Sequence, residues 1–501
     1  MQGFTYIDLV ILVVYLAAVL FAGLHFAKKE MKGKEYFKGD GTVPWWVTSV
    51  SIFATLLSPI SFLSLAGNSY AGTWIMWFAQ LGMLLAIPLT IKFFLPIYSK
   101  LDIDTAYHYL ELRFGSKGLR VLGAVMFIVY QIGRMSIIMY LPCMVLGSLT
   151  GINVNLLIII MGVIAIIYSY TGGLKSVLWT DFIQGSVLLI GVTFALIFLL
   201  AHLDGGIGAI FQAFATEHKF LAVDQPIFNP NIFKDSVFIM IVGAGFNTMG
   251  SYVSSQDIVQ RFTTTTDTKK LNKMMLTNGA LSIFIATVFY LIGTGLFVFY
   301  KQNALPPAAA QDQIFASYIA FELPVGVTGL LLAAIYAAAQ STLSTGLNSV
   351  ASSWTLDIQS SLSKKELGFE KETKIGQRVS LIVGIFAIVV AMVLANGGVK
   401  SAYEWFNGFM GLVLGILIGT FILGAFTKVA NTFGAVAAFI ASSAVMVYIK
   451  YFVPADQVTI WSYSIISIVV SLVVGIPASI IWRKVKGDKS VPAPNTTIFK
   501  N

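Results

Sequence analysis

Residues 51–64 read Ser51-Ile-Phe-Ala-Thr-Leu-Leu-Ser-Pro-Ile-Ser-Phe-Leu-Ser64, inside an uncharged stretch from Trp45 to Gln80. The stretch is long enough to cross a bilayer. It nevertheless carries Ser51, Thr55, Ser58, Pro59, Ser61 and Ser64 at what would be mid-membrane depth. Pro59 lacks the amide proton a helix needs and clashes with the carbonyl of Thr55, so the helix kinks or breaks there. Within hydrocarbon, freed carbonyls persist only where protein or a polar cavity satisfies them. The stretch is therefore either a broken helix that builds a polar binding site at the midplane or a kinked helix whose small residues pack against neighbours.

The remainder of the chain decides between these. Of 501 residues, 57% are hydrophobic and only 11% charged, which excludes a soluble domain and predicts an all-α polytopic membrane protein. The periodicity predicts about thirteen spanning helices, near 6–26, 45–71, 74–98, 119–148, 152–171, 177–202, 236–260, 275–301, 324–357, 379–397, 404–427, 430–453 and 458–482. The first apolar run is followed, not preceded, by Lys28, Lys29, Lys32, Lys34 and Lys38, which makes it a retained helix rather than a cleaved signal. Of the 32 Lys and Arg residues, 26 fall in alternate loops and their flanks. Five (Lys219, Lys234, Lys301, Lys400, Lys450) fall on the opposite side, and Arg134 lies mid-helix. This places the N-terminus outside and the C-terminus in the cytoplasm. The same distribution explains the net charge of +9 without a nucleic-acid partner. The single cysteine and four scattered histidines offer no metal-ligand spacing, and no Walker loop is present.

A second interruption is predicted in Ile241-Val-Gly-Ala-Gly-Phe-Asn-Thr-Met-Gly-Ser-Tyr252, where Gly243, Gly245, Gly250 and Asn247 punctuate an apolar span. Five spans (45–202) precede the long external loop 203–235, and five (236–427) follow it. Each set opens on a discontinuous helix, and an odd number per set makes the two opposite in orientation, the inverted-repeat pattern of transporters. An extra helix and basic loop (1–44) precede the repeats. Two further helices (428–483) and a cytoplasmic tail (484–501), expected to lack fixed structure, follow them.

Between the two sets, polar residues fall into groups. Ser341, Ser344, Thr345 and Asn348 share one helical face with Thr342 beside them, which suits a hard cation such as sodium or close helix packing. Arg134 lies too deep to snorkel; it fits a substrate carboxylate or an acidic partner on a neighbouring helix. Asp181 lies one turn into its helix, where an acid also complements the helix dipole.

The segment Tyr168-Ser-Tyr-Thr-Gly-Gly-Leu-Lys-Ser176 matches the signature of the sodium:solute symporter family, and the chain resembles that family over nearly its whole length. Within it the chain is most similar to bacterial sialic acid symporters, through Phe53-Ala-Thr55, Gln80, Ile132-Gly-Arg134, Thr180-Asp181, Ser255-Gln-Asp-Ile-Val-Gln-Arg261 and Ala337-Ala-Ala-Gln-Ser341. The resemblance implies a LeuT-type fold of five plus five helices in a bacterial cytoplasmic membrane. It also implies two sodium sites. The shared one takes carbonyls of Ala54, Leu57 and Ala338 with hydroxyls of Ser341 and Thr342. The second takes Asp181 with Ser341, Ser344 and Thr345. For the substrate it implies Arg134 on the carboxylate, Ser58, Ser61 and Gln80 on polar groups, and Asn247 as a further candidate. Leu56, Pro59 and Met76 depart from the more polar or aromatic residues of that pocket, which bears on substrate identity.

The expected activity is sodium-coupled import of a carboxylated sugar, N-acetylneuraminic acid, by alternating access in a monomer. The alternatives are a neutral sugar, which would not need Arg134, or proline, pantothenate or a monocarboxylate. A channel would want a continuous polar pore or charged rings. An intramembrane enzyme would want a nucleophile with a base or metal, and no histidine lies near these hydroxyls, so no catalytic residue is expected.

Overall fold

Trp45–Leu56 and Pro59–Ala71 are two helices bent by 65° across two extended residues, Leu57 and Ser58. Pro59 opens the second helix, at a position where its missing N–H has no partner to lose. Ser58 caps that helix by accepting from the Ser61 amide at 3.2 Å. The computed structural model describes residues 5–27, 34–39, 41–304, 313–363, 368–397, 402–454, 456–487 and 491–499; Lys28, Lys29, Lys32 and Lys400, used above for orientation, lie outside them.

Among the described residues, ten helices are long and apolar enough to cross a membrane, or eleven with the bent pair counted as one span. Val154–Tyr170 and Val413–Phe426 are shorter apolar helices. The outer helices turn large apolar side chains outward: Val10, Val14 and Phe21 on Tyr6–Ala27, Ile382, Ile385 and Phe386 on Phe369–Asn396, and Val473 and Ile481 on Tyr463–Lys486. In water such a surface would be a liability, whereas in lipid it is the ordinary exterior.

Val327–Ser352 is the central helix, with every residue from Leu331 to Ser352 buried. Its most extensive neighbour is Val154–Ala201. Its N-terminus is tied to the first helix by Asp8, whose Oδ1 accepts from the Gly326 and Gly329 amides at 2.8 Å each. A carboxylate at a helix N-terminus meets both unpaired amides and the positive end of the dipole.

The signature segment 168–176 is the joint between two spans. Gly173 has φ +55°, and a Cβ there would lie 2.5 Å from the Tyr36 carbonyl. Tyr36 Oη in turn donates to the carbonyls of Ser169 (3.1 Å) and Tyr170 (3.0 Å). Only glycine fits a turn that is both left-handed and this crowded.

The second interruption departs from expectation. Val237–Ser254 is one continuous helix, and the break falls at Ser255, whose backbone is extended before Gln256–Phe262 begins. The glycines of 241–252 serve close packing instead. Added Cβ atoms would lie 2.0 Å from the Trp461 carbonyl at Gly243 and 2.7 Å from Ile418 at Gly250. At Gly82 a Cβ would lie 2.5 Å from the Gly245 amide, so two backbones touch. Gly82→Val is accordingly expected to destabilise by at least about 1–3 kcal/mol, read as a fall in detergent melting temperature. Gly208→Ala, where a Cβ meets nothing within 4 Å, should leave it unchanged.

One further segment differs from the sequence reading. The tail is not free along its length: Tyr109 Oη donates to the Thr496 carbonyl (3.0 Å) and the Ile498 amide to the Ala425 carbonyl (3.0 Å), with Thr496 wholly buried. In the long loop, Gly206–Thr216 is a helix, and Lys219 Nζ beyond it donates to the Tyr70 (2.6 Å) and Gly72 (2.9 Å) carbonyls, fastening the loop over the end of Pro59–Ala71.

Candidate substrate and ion sites

The break at Leu57–Ser58 lies against the central helix, and this contact brings the shared-site residues together. Ser341 Oγ donates to the Ala54 carbonyl at 3.0 Å and to the Ala338 carbonyl at 3.1 Å. Thr342 Oγ1 also donates to the Ala338 carbonyl at 3.1 Å. Leu57 supplies the extended backbone next along. Ser341 and Thr342 are fully buried. The result is an all-oxygen donor set in which hydroxyls partner carbonyls that the break and the central helix hold close.

Asp181 is also fully buried, on the helix that follows Gly173. Its Oδ2 accepts from Ser51 Oγ (2.6 Å) and Thr345 Oγ1 (3.2 Å), and its Oδ1 from Ser344 Oγ (3.3 Å). The grouping of Asp181 with Ser344 and Thr345 anticipated from sequence is therefore present in space. A residue not assigned a role from sequence shares it: Arg261 Nη2 lies 2.6 Å from Asp181 Oδ2 and donates to Thr345 Oγ1 at 2.6 Å, while its Nε donates to Ser51 Oγ at 2.8 Å. The charge distribution in the sequence puts Arg261 among the basic loop flanks, whereas in the structure it is fully buried.

Arg134 extends from Lys117–Thr150 to the first break. Its Nη2 donates to the Thr55 carbonyl at 2.7 Å, one of the groups freed by Pro59. Its Nη1 pairs with Asp257 Oδ2 at 2.6 Å, while Nε is buried without a partner among the described residues. Asp257 is fully buried and also accepts from Ser255 Oγ, at the second break. The two broken helices thus meet through one arginine. Gln131, one turn before Arg134, is fully buried with neither amide atom partnered among the described residues, and the Gly346 backbone leaves the space it occupies.

Of the other substrate candidates, Ser58 and Ser61 face each other, Oγ to Oγ 3.2 Å, at the start of Pro59–Ala71. Gln80 lies half-buried on the 3₁₀ segment Trp74–Gly82. Asn247 is exposed on Val237–Ser254 and accepts from Ser464 Oγ at 3.3 Å on the last helix. It stands about 12 Å along the helix from Ser255, so the structure does not bring it into the Arg134 group. Asp257 and Arg261 lie in the segment 255–261 that carries the resemblance, but the sequence assigns neither a role; the available signal is two opposite charges one turn apart on Gln256–Phe262.

A lipid-facing helical bundle with two interrupted helices meeting at a buried, charged and hydroxyl-rich core has the architecture of an ion-coupled secondary transporter. The chain belongs to the sodium:solute symporter family, whose family model matches residues 36–442. It is 36% identical over 454 residues to the sodium/sialic acid symporter SiaT of Proteus mirabilis, covering 90% of this chain and 91% of that protein. It is 31% identical over 476 residues to the sodium/sialic acid symporter NanT of Aliivibrio fischeri, covering 95% and 93%. A solved structure of a sodium-coupled sialic acid symporter in a substrate-bound outward-open state superposes with a TM-score of 0.88 at 34% identity, covering 95% and 98%. Mhp1, a nucleobase-cation-symport-1 transporter, shares the fold alone, with a TM-score of 0.58 at 16% identity.

Proposed function

We propose that the chain is a sodium-coupled symporter that imports N-acetylneuraminic acid by alternating access across a bacterial cytoplasmic membrane. The observation that carries this reading is the full-length similarity to two sodium/sialic acid symporters, together with Arg134 held at the meeting point of both broken helices. A guanidinium at that point suits a carboxylated solute better than a neutral one.

In this reading Arg134 takes the carboxylate, Ser58, Ser61 and Gln80 take hydroxyl and acylamino groups, and Asn247 joins them when the helices rearrange. One sodium sits among the Ala54, Leu57 and Ala338 carbonyls and the Ser341 and Thr342 hydroxyls. The second sits with Asp181, Ser341, Ser344 and Thr345. The two shorter apolar helices complete thirteen spans, with the N-terminus outside, the C-terminus inside and the monomer as the working unit. Two sodium ions with one monoanionic substrate move one net positive charge inward, which a 100 mV potential drives with about 2.3 kcal/mol.

The test is uptake of labelled sialic acid into proteoliposomes with and without a sodium gradient, competed by unlabelled proline, glucose, pantothenate or lactate. Competition by sialic acid alone, only with sodium, is the expected result; sodium-dependent uptake blocked by one of the others would reassign the substrate.

Thr342→Ala is expected to raise the sodium concentration for half-maximal uptake by roughly 10-fold, the loss of one hydrogen-bond-scale interaction of about 1–1.5 kcal/mol, with the melting temperature little changed. An unaltered sodium titration would remove Thr342 from the ligand set.

A further inference from the structure

Four of the buried charges form two ion pairs bridged by one short helix. Asp257 holds Arg134, Arg261 holds Asp181, and Asp257 and Arg261 are one turn apart on Gln256–Phe262. Arg261 Nη1 already donates to the main-chain carbonyl of Asp257. All four side chains are nearly or wholly inaccessible, with Arg134 at 5% the most exposed. Two arginines and two aspartates sum to zero charge.

We propose that Asp257 stands in for the substrate carboxylate and Arg261 for the second sodium, and that both ligands enter by exchange of ion-pair partners. Sodium takes Asp181 and releases Arg261. The substrate carboxylate takes Arg134 and releases Asp257. The two released side chains then pair with each other at i,i+4 spacing along their own helix. This rests on the assignment of Arg134 and Asp181 proposed above and adds a route by which the two sites are coupled.

Charge conservation in a buried space makes the exchange cooperative. Sodium alone would leave an unpaired guanidinium and an excess positive charge away from water. Sialate alone would leave an unpaired carboxylate and an excess negative charge. An ion left without its partner in the interior is strongly disfavoured. Both ligands together restore neutrality and leave no charge unpaired. Each ligand therefore favours the other, and the coupling must be equal in both directions. The path is short: Asp257 and Arg261 lie on one rigid turn at the second break, where Ser255 is the extended hinge and its hydroxyl donates to Asp257.

The experiment measures sialic acid binding to the purified full-length protein by calorimetry, in sodium chloride and in choline chloride, and sodium binding by intrinsic tryptophan fluorescence with and without sialic acid. In the parent protein each ligand should tighten the other by about 5–150-fold. The two single substitutions should act with opposite signs. Asp257→Asn frees Arg134, so sialic acid should bind more tightly without sodium, while sodium binds more weakly. Arg261→Gln frees Asp181, so sodium should bind more tightly alone, while sialic acid binds more weakly. The double variant Asp257→Asn/Arg261→Gln keeps the charge balance but removes the pair that the exchange releases, so both ligands should bind with mutual tightening well below the parental value, leaving only the attraction between the two bound ions. A double variant with parental coupling overturns the proposal, as does loss of both ligands from folded, monodisperse Asp257→Asn, which would make Asp257 a support for Arg134 only. If the parent protein itself binds no sialic acid in sodium, the substrate reading fails instead, and that outcome is separable from the others.

Discussion

Arg134→Lys is expected to reduce the affinity for sialic acid by roughly 10–150-fold, the equivalent of one charge-assisted hydrogen bond of about 1.5–3 kcal/mol. The guanidinium reaches two groups on two elements at once, Nη1 on Asp257 and Nη2 on the Thr55 carbonyl. A lysine carries the same charge as a compact point at the end of a flexible stem and cannot reproduce that fork, or its bidentate fit to a carboxylate. The lysine variant is more informative than a neutral one. Arg134→Gln would strand the buried carboxylate of Asp257, at a cost of about 3–5 kcal/mol, and the loss of fold would mask the loss of binding. The measurement is the calorimetric dissociation constant alongside the uptake rate at saturating sodium. Parental values for both would leave Arg134 as a structural partner of Asp257 and transfer carboxylate recognition elsewhere.

Asp181→Asn is expected to change the electrical character of transport. With two sodium ions and one sialate, each cycle moves one positive charge. With the second sodium lost, one sodium and one sialate move none. The sodium Hill coefficient should fall toward one, and uptake should become insensitive to an imposed membrane potential while remaining sodium-dependent through the shared site. The substitution also removes the anion facing Arg261, which keeps only Ser51, Thr345 and the Asp257 carbonyl. A stability loss of up to about 3–5 kcal/mol accompanies it, so the comparison belongs with protein shown to be folded by its melting curve. A variant that retains the parental Hill coefficient and the parental charge per substrate would remove Asp181 from the sodium site and leave its pairing with Arg261 as its role. A contribution from the helix dipole alone would amount to about 0.3–1 kcal/mol and leave the ion count untouched.

The position of the first break was legible from residues 51–64 because its cause is local: Pro59 lacks the amide proton that would bond the Thr55 carbonyl, and Ser58 just before it is a ready cap for a new helix. The hydroxyl face of Ser341, Ser344 and Thr345 was legible for a similar reason, since helical periodicity places residues three and four apart side by side. The glycine joint at 172–173 was visible as a motif, but its reason, a positive φ pressed against Tyr36, appears only in three dimensions.

What tertiary structure decided are the features that depend on what lies opposite. The glycines of 241–252 could break a helix or admit a neighbour's backbone, and the approach of Gly82 and Trp461 selects the second. The tail sequence carries no sign that Tyr109 and Ala425 will bind it. The sequence by itself determined that Arg134 would be buried, because hydropathy fixes depth in the bilayer, and left Asp181 between an ion site and a helix-dipole role. It did not determine their partners. Asp257 and Arg261 lie 123 and 80 residues along the chain from Arg134 and Asp181. Only the folded bundle brings them within hydrogen-bond reach, since the cost of an unpaired charge in a dry interior is met by whichever opposite charge the packing of distant helices supplies.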